Sequence, residues 1–287
     1  MEASLHAVPA VCCICDRPVA PSAALAALGF VACGRCGFVF RPDLDEATSR
    51  DLYEGGAYEA RDIAAGYAVA GSVDERRHNA LVRLGWLQQH VRTGRLLDVG
   101  AAGGAFVLEA GGAGFEATGV EPAPAFAAHA RDVLGVDVRD GRVEDLELHP
   151  GTLDVATMWH VLEHVPAPRR TLAALRALLR PGGRLVLEVP NLESVAARRM
   201  GRAWTHLDPE VHVSQFTPST LRALLGRAGF EVAWTGTVAH GAYLSPLQRW
   251  APGHVAHRLQ LARGGAVGLR HPRRHEFLRA VARRPAG

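Results

Sequence analysis

The chain has no lysine; arginine fills all 32 of its Lys/Arg positions. A phosphate-binding loop of the Gly-Lys-Ser/Thr kind is therefore excluded. No apolar run approaches the roughly twenty residues that cross a bilayer. Residues 1–10 include Glu2 and no basic stretch, so neither a spanning helix nor a secretory leader is expected. Repeats and low-complexity tracts are missing, and aromatic residues supply only 6% of the chain. The formal charge of +3 is too small to demand a nucleic-acid partner. What remains is 287 residues, 48% of them hydrophobic, enough for one large domain with a small appendage, expected in the cytoplasm.

The most informative stretch is residues 95–106, Arg-Leu-Leu-Asp-Val-Gly-Ala-Ala-Gly-Gly-Ala-Phe. Leu96, Leu97 and Val99 form a short apolar run around one acid, Asp98. Gly100, Gly103 and Gly104 then break the run ahead of an apolar segment of helical character. A strand, a glycine turn and a helix start form the element at which open α/β sheets hold nucleotides and related cofactors. Glycine lets the backbone approach a ligand closely and accepts positive φ. The spacing is not Gly-x-Gly-x-x-Gly, which disfavours a dinucleotide. An ordinary strand-to-helix turn is the plainer alternative.

Further signals follow in order. Phe115, Ala117, Gly119 and Val120 lead to Glu121-Pro122, an acid at a strand tip, where it can accept hydrogen bonds from two ribose hydroxyls. Gly141-Arg-Val-Glu-Asp-Leu146 comes next. Leu153-Asp-Val-Ala-Thr-Met158 reads as a buried strand and runs into Trp159-His-Val-Leu-Glu-His-Val165. A helix with Leu172, Leu175, Leu178 and Leu179 on one face is expected to stop at Pro181-Gly-Gly183. Residues 184–189 form a fifth strand and 230–238 a sixth; no convincing seventh follows.

This order of motifs resembles the class I S-adenosylmethionine-dependent methyltransferases, in the group that includes ubiquinone-pathway O-methyltransferases and sugar methyltransferases, over roughly residues 90–236. The resemblance implies a Rossmann-like α/β fold with a mostly parallel, doubly wound sheet, and S-adenosylmethionine as cofactor. Asp98, Gly100 and Gly104 match the family's Asp-x-Gly-x-Gly-x-Gly, with Ala102 in place of the middle glycine. By the same resemblance Glu121 is the ribose acid, and Val143 and Glu144 lie against adenine. Arg142 stands where the family often has an aspartate. Trp159 completes the cofactor-binding set.

Four of the five cysteines form two pairs, Cys12-x-x-Cys15 and Cys33-x-x-Cys36, with Cys13 left over. Two thiolates so spaced in a tight turn can face one tetrahedral ion, and two such knuckles supply four ligands. A structural zinc is the expectation; a disulfide or an iron–sulfur site are the competing readings. The apolar segment between the pairs is too small for a core of its own, so a metal would supply the missing stability. Similar knuckles precede the core in sugar C-methyltransferases that the chain resembles, and in a family of ribosomal-RNA guanine methyltransferases.

The expected domains are a zinc-binding module (1–45), a connector or lid with a leading helix (46–90), the cofactor-binding core (91–238) and a C-terminal extension with a basic tail (239–287). Tyr53 and Tyr58 are lid candidates, or else simply pack the connector onto the core. Ser72-x-x-Glu75 reads as a capping box ahead of a stripe of Ala80, Leu81, Leu84, Leu87 and Val91. Thr217-Pro218 opens a later helix. Loops after the fourth and fifth strands bring His160, Glu163, His164 and His212 toward one pocket. Imidazole suits proton removal from an acceptor, with His212 the first choice of base and His160 the second. The family pattern places a histidine a few residues before Phe-Thr, which His212 fits. A Glu–His pair recruiting a divalent ion has no further ligand spacing behind it. The tail arginines (270, 273, 274, 279, 283 and 284) are either solvated or bind an anion. Three functions stay open: methyl transfer to a small molecule, RNA methylation through knuckles and tail, or a non-catalytic adaptor.

Overall fold

The structure, a computed structural model, describes residues 10–19, 25–64, 73–238 and 275–286. Strands are numbered in chain order. The main sheet takes β5 (Gly94–Val99), β6 (Phe115–Glu121), β7 (Val138–Asp140), β8 (Leu153–Trp159), β9 (Leu179–Pro190), β11 (Glu231–Val238) and β12 (Phe277–Arg283) in the order β11-β12-β9-β8-β5-β6-β7. Strands β9, β8, β5, β6 and β7 are parallel neighbours. Side chains 155–158 of β8 and 185–189 of β9 are buried throughout, because helices cover both faces of a parallel sheet. Along β5 the burial alternates between layers. Leu97 and Val99 join the core under α6 (Pro168–Leu178) and α8 (Pro218–Arg227). Leu96 faces α3 (Val73–Leu87) and α4 (Ala105–Gly112) on the other side.

Several local expectations are met and some are not. Thr217 caps α8 with a capping box and Pro218 takes its first turn. In α3, Ala80, Leu84 and Leu87 are buried, but Leu81 is 45% exposed and Val91 lies past the helix end. Ser72 lies outside the described residues. Helix α6 ends at Leu178, before the Pro-Gly-Gly segment, because β9 already begins at Leu179 beside Leu153.

The main correction concerns the C-terminal segment. A seventh strand exists: β12 lies antiparallel between β9 and β11, pairing Phe277 with Pro190 and Arg283 with Arg184. Residues 277–283 thus belong to the main sheet, and the basic tail is not a solvated appendage there. Arg279 is 1% exposed and donates through Nε at 2.8 Å and through Nη2 to Glu188 Oε2. Arg283 pairs with Glu231. Arg284 donates to the Arg176 and Ala177 carbonyls at the end of α6, where helices leave their acceptors unmatched. Arg270, Arg273 and Arg274 lie outside the described residues.

Two small hairpins precede the core. Strands β1 (Ala10–Val11) and β2 (Pro18–Val19) flank the first cysteine pair, and β3 (Val31–Ala32) and β4 (Val39–Phe40) flank the second. Strand β10 (Ser214–Gln215), from the loop after β9, adds to β4 to give the sheet β10-β4-β3. Helices α1 (Glu46–Glu54) and α2 (Ala57–Ala64) follow, with Asp45 capping α1 through the Thr48 N–H. Among the described residues no helix is long and apolar enough to cross a membrane.

Candidate active site

The glycine turn sits at the C-terminal edge of the central strand. Gly100 and Gly104 have φ of +70° and +82°, and Ala102, a residue with a Cβ, has +45°. Packing within the chain constrains both glycines. A Cβ at Gly100 would lie 2.4 Å from Val161 Cγ2, and one at Gly104 would lie 2.7 Å from Ala130 Cβ. Turn geometry and packing against neighbouring elements therefore demand glycine at both. Ala102 is held in its left-handed conformation by its own N–H, which donates to Glu121 Oε2 at 2.8 Å. Glu121 is the last residue of β6, 5% exposed, and its other oxygen accepts from the Ala123 N–H at 3.0 Å.

A cavity of about 290 Å³ runs along this edge. Gly100, Ala102, Glu121, Val143, Glu144 and Trp159, all singled out from the sequence, line it. A second cavity of about 660 Å³ shares Arg83, Gly100, Ala102 and Trp159 with the first and adds Asp98. Gly104 lines neither and serves packing. Asp98 is 2% exposed and accepts from Thr157 Oγ1 at 2.5 Å. Burial pushes its carboxyl up to about 7, against the Thr157 hydrogen bond and the Arg83 charge. Trp159 is buried, and its indole N–H has no hydrogen-bond partner among the described residues. Tyr53 and Tyr58, with ring centroids 4.5 Å apart, form part of the first cavity's wall. Arg142 ties α1 to that wall through Glu54 Oε1 and Ser49 Oγ, both at 3.2 Å.

The histidines separate into two groups. His160 and His164 line the cavity; His212, 7% exposed, stands behind His164 with ring centroids 4.6 Å apart and is not on the wall. His212 Nδ1 lies 2.9 Å from the His206 carbonyl oxygen. Burial lowers the pKa of His212, and lowers that of His164 to about 4, with the His212 charge adding to the latter. His160 differs. Its Nε2 is 3.0 Å from Glu188 Oε1 and its Nδ1 is 3.3 Å from Glu163 Oε1. Burial disfavours its charge, yet these two carboxylates outweigh burial and raise its pKa. It also holds φ of +59°, uncommon for a residue with a side chain and concentrated at functional sites. Glu163, His164 and His212, three of the four residues expected around one pocket, bring potential ligand atoms within 4.8 Å of one another.

Glu188, Arg279 and Arg83 were missed as site residues. Glu188 is fully buried and touches His160, Arg279 and, at 3.7 Å, Arg83. Its signal was available: an acid inside the apolar run Leu185-Val-Leu-Glu-Val189 must be paired if that strand is covered on both faces. Arg279 lies over Trp86 and Trp159, 4.7 and 5.3 Å from the ring centroids. Only the strand pairing reveals that contact.

The four sulfurs of Cys12, Cys15, Cys33 and Cys36 lie within 4.8 Å of one another, with 3.5 Å between Cys12 and Cys36 and 3.4 Å between Cys15 and Cys33. No pair is bonded as a disulfide. Tetrahedral thiolates about 2.3 Å from a zinc ion stand about 3.8 Å apart, close to these values. The knuckles repeat one geometry: Asp16 N–H donates to the Cys12 carbonyl and Gly37 N–H to the Cys33 carbonyl. Asp16 and Gly37 both take positive φ, +53° and +74°, whereas Gly34 does not. Cys13 is outside the cluster.

Comparison with known proteins adds the family. Residues 73–233 match the family model described as a methyltransferase domain. A ubiquinone biosynthesis O-methyltransferase from Xanthomonas euvesicatoria is 34% identical over 155 residues, 48% of this chain and 63% of that relative, so the chain spans less than two thirds of the relative's length. Among solved structures, a possible histamine N-methyltransferase from Thermotoga maritima aligns over 81% of this chain and 98% of its own, with 22% identity and a TM-score of 0.55. The 1,6-didemethyltoxoflavin N1-methyltransferase of Burkholderia thailandensis, solved with bound 1,6-didemethyltoxoflavin and S-adenosylhomocysteine, covers 83% of this chain and 88% of its own, at 20% identity and a TM-score of 0.53. These structural likenesses establish the Rossmann-like methyltransferase fold, and since the family model takes in more than half of the residues, the chain belongs to the methyltransferase-domain family.

Proposed function

We propose that the protein is an S-adenosylmethionine-dependent methyltransferase acting on a small-molecule acceptor, a sugar or secondary-metabolite intermediate. One observation carries the reading: the glycine turn, the strand-tip acid Glu121 and His160 open onto a single cavity. The ribose hydroxyls would be held by Glu121, the adenine by Val143 and Glu144, and the amino-acid end would reach Asp98 in the adjoining cavity. The cofactor supplies an electrophilic methyl group for in-line displacement. The chain's own contribution is to hold the acceptor in line and to exclude water.

His160 is taken as the base ahead of His212 because its ring lies on the cavity wall and that of His212 does not; its two ring nitrogens face Glu163 and Glu188, so one of them must turn from its carboxylate to accept a proton. Of the tail arginines on which the RNA alternative drew, Arg279, Arg283 and Arg284 bond within the chain. The sulfur cluster supports a structural zinc, held by Cys12, Cys15, Cys33 and Cys36. Such thiolates persist in a reducing cytoplasm. Calorimetric titration with S-adenosylhomocysteine tests the enzyme reading, which absence of binding would overturn. Elemental analysis finding no zinc in folded, purified protein would overturn the metal reading.

A further inference from the structure

The cysteine module is built into the wall behind the candidate base cluster. Its last strand, β4, leads from Cys36 to Arg41, and the ladder to β10 pairs Val39 with Gln215 and Phe40 with Ser214. One step further the Arg41 N–H donates to the Val213 carbonyl at 2.8 Å, and the Val213 N–H donates to the Glu163 carbonyl at 2.7 Å. The Arg41 guanidinium reaches back to the Pro209 carbonyl and lies over the Phe30 ring. Phe38, between the second knuckle and β4, packs on Phe40 and Phe216 with centroids 5.5 and 5.7 Å away. The loop so held carries His212 and Val211. The Val211 carbonyl lies 3.2 Å from His164 Nδ1, which is also 2.8 Å from the Tyr53 hydroxyl on the cavity wall.

We infer that Arg41 and β4 are positioning elements: they fix the 206–213 loop, and through it His212 and His164, so that metal retention in the knuckles sets the shape of the cavity's acceptor side. The inference rests on the zinc reading for its metal dependence and on the hydrogen-bond ladder for its route. Local backbone order follows the number and burial of such bonds. Among the described residues no hydrogen bond of this route reaches the glycine turn at residues 98–104, although it ends on His164 and Tyr53, which share the cavity with Gly100 and Glu121.

The test uses the full chain and hydrogen exchange with peptide resolution. In Arg41→Met, which leaves all four thiols, exchange across 206–213 should rise about tenfold or more while that across 96–104 stays unchanged. Bound zinc should remain as in the parent. Arg41→Lys, whose ammonium can still reach the Pro209 carbonyl, should restore much of the protection. Imidazole NMR signals of His164 and His212 should move in Arg41→Met, with those of the distant His129 and His149 unmoved. Removing zinc with a chelator should reproduce the loosened loop. Unchanged exchange and unmoved imidazole signals in Arg41→Met overturn the positioning role. Loosening in Arg41→Met but not on zinc removal overturns the metal dependence alone. Protein that is folded but zinc-free as purified is instead a failure of the zinc reading.

Discussion

Replacing Asp98 with asparagine tests the electrostatics of the glycine-turn strand. Asp98 is buried on β5 with Thr157 Oγ1 as its hydrogen-bond donor, and its carboxyl titrates near 7 rather than 3.8. In the unfolded chain the same carboxyl loses its proton near pH 4. Between these values the folded state holds the extra proton, so stability falls as pH rises from about 4 to about 7 and then levels off. At about 1.36 kcal/mol per unit of pH, the penalty for charging Asp98 in place reaches about 4 kcal/mol. Asparagine keeps an oxygen for Thr157 and cannot ionise. The stability difference between Asp98→Asn and the parent should therefore move by about 3 kcal/mol in favour of the variant between about pH 5 and pH 8. Urea unfolding of both proteins without cofactor, at matched ionic strength, measures it. Parallel stability curves over that interval would refute the reasoning and mean that water or a nearer cation compensates the carboxylate. Under the proposed function the same substitution should weaken S-adenosylhomocysteine binding, because it removes the charge opposite the ligand's ammonium group.

Three further outcomes are expected. Glu121→Ala should weaken S-adenosylhomocysteine binding by about 1–3 kcal/mol in calorimetry, since it removes a charged acceptor and frees the Ala102 N–H; equal affinity would mean that the ribose lies elsewhere. Arg279→Met should destabilise the fold by about 3 kcal/mol or more in urea, because a buried carboxylate loses its principal partner. A change near zero would argue against the buried pairing of β12 with β9. Once an acceptor is identified, methyl transfer should increase with pH through a value above 6.5, the ordinary histidine value, as His160 loses its proton. The His160→Gln variant should lose that dependence, and an unaltered pH profile would assign the base to another group.

Much of this organisation is local and so lies open in the sequence. Apolar runs of strand length, the glycines after Asp98, the acid at Glu121 and the paired cysteines are each recognisable within a few residues by type and spacing. The parallel direction and the hand of each crossover follow, since a strand–helix–strand unit joins the sheet with one hand, whereas the order β11-β12-β9-β8-β5-β6-β7 does not. Tertiary structure alone decided the rest. Residues 277–283 read as a basic tail because Arg279 and Arg283 interrupt the run, and their partners Glu188 and Glu231 are 91 and 52 positions away. Which of the His160 and His212 rings faces the cavity is a matter of loop packing that no periodicity records. The joining of β4 to β10 likewise brings together segments about 175 residues apart, and such pairings exist only once the intervening chain has folded and its loop-closure entropy has been overcome.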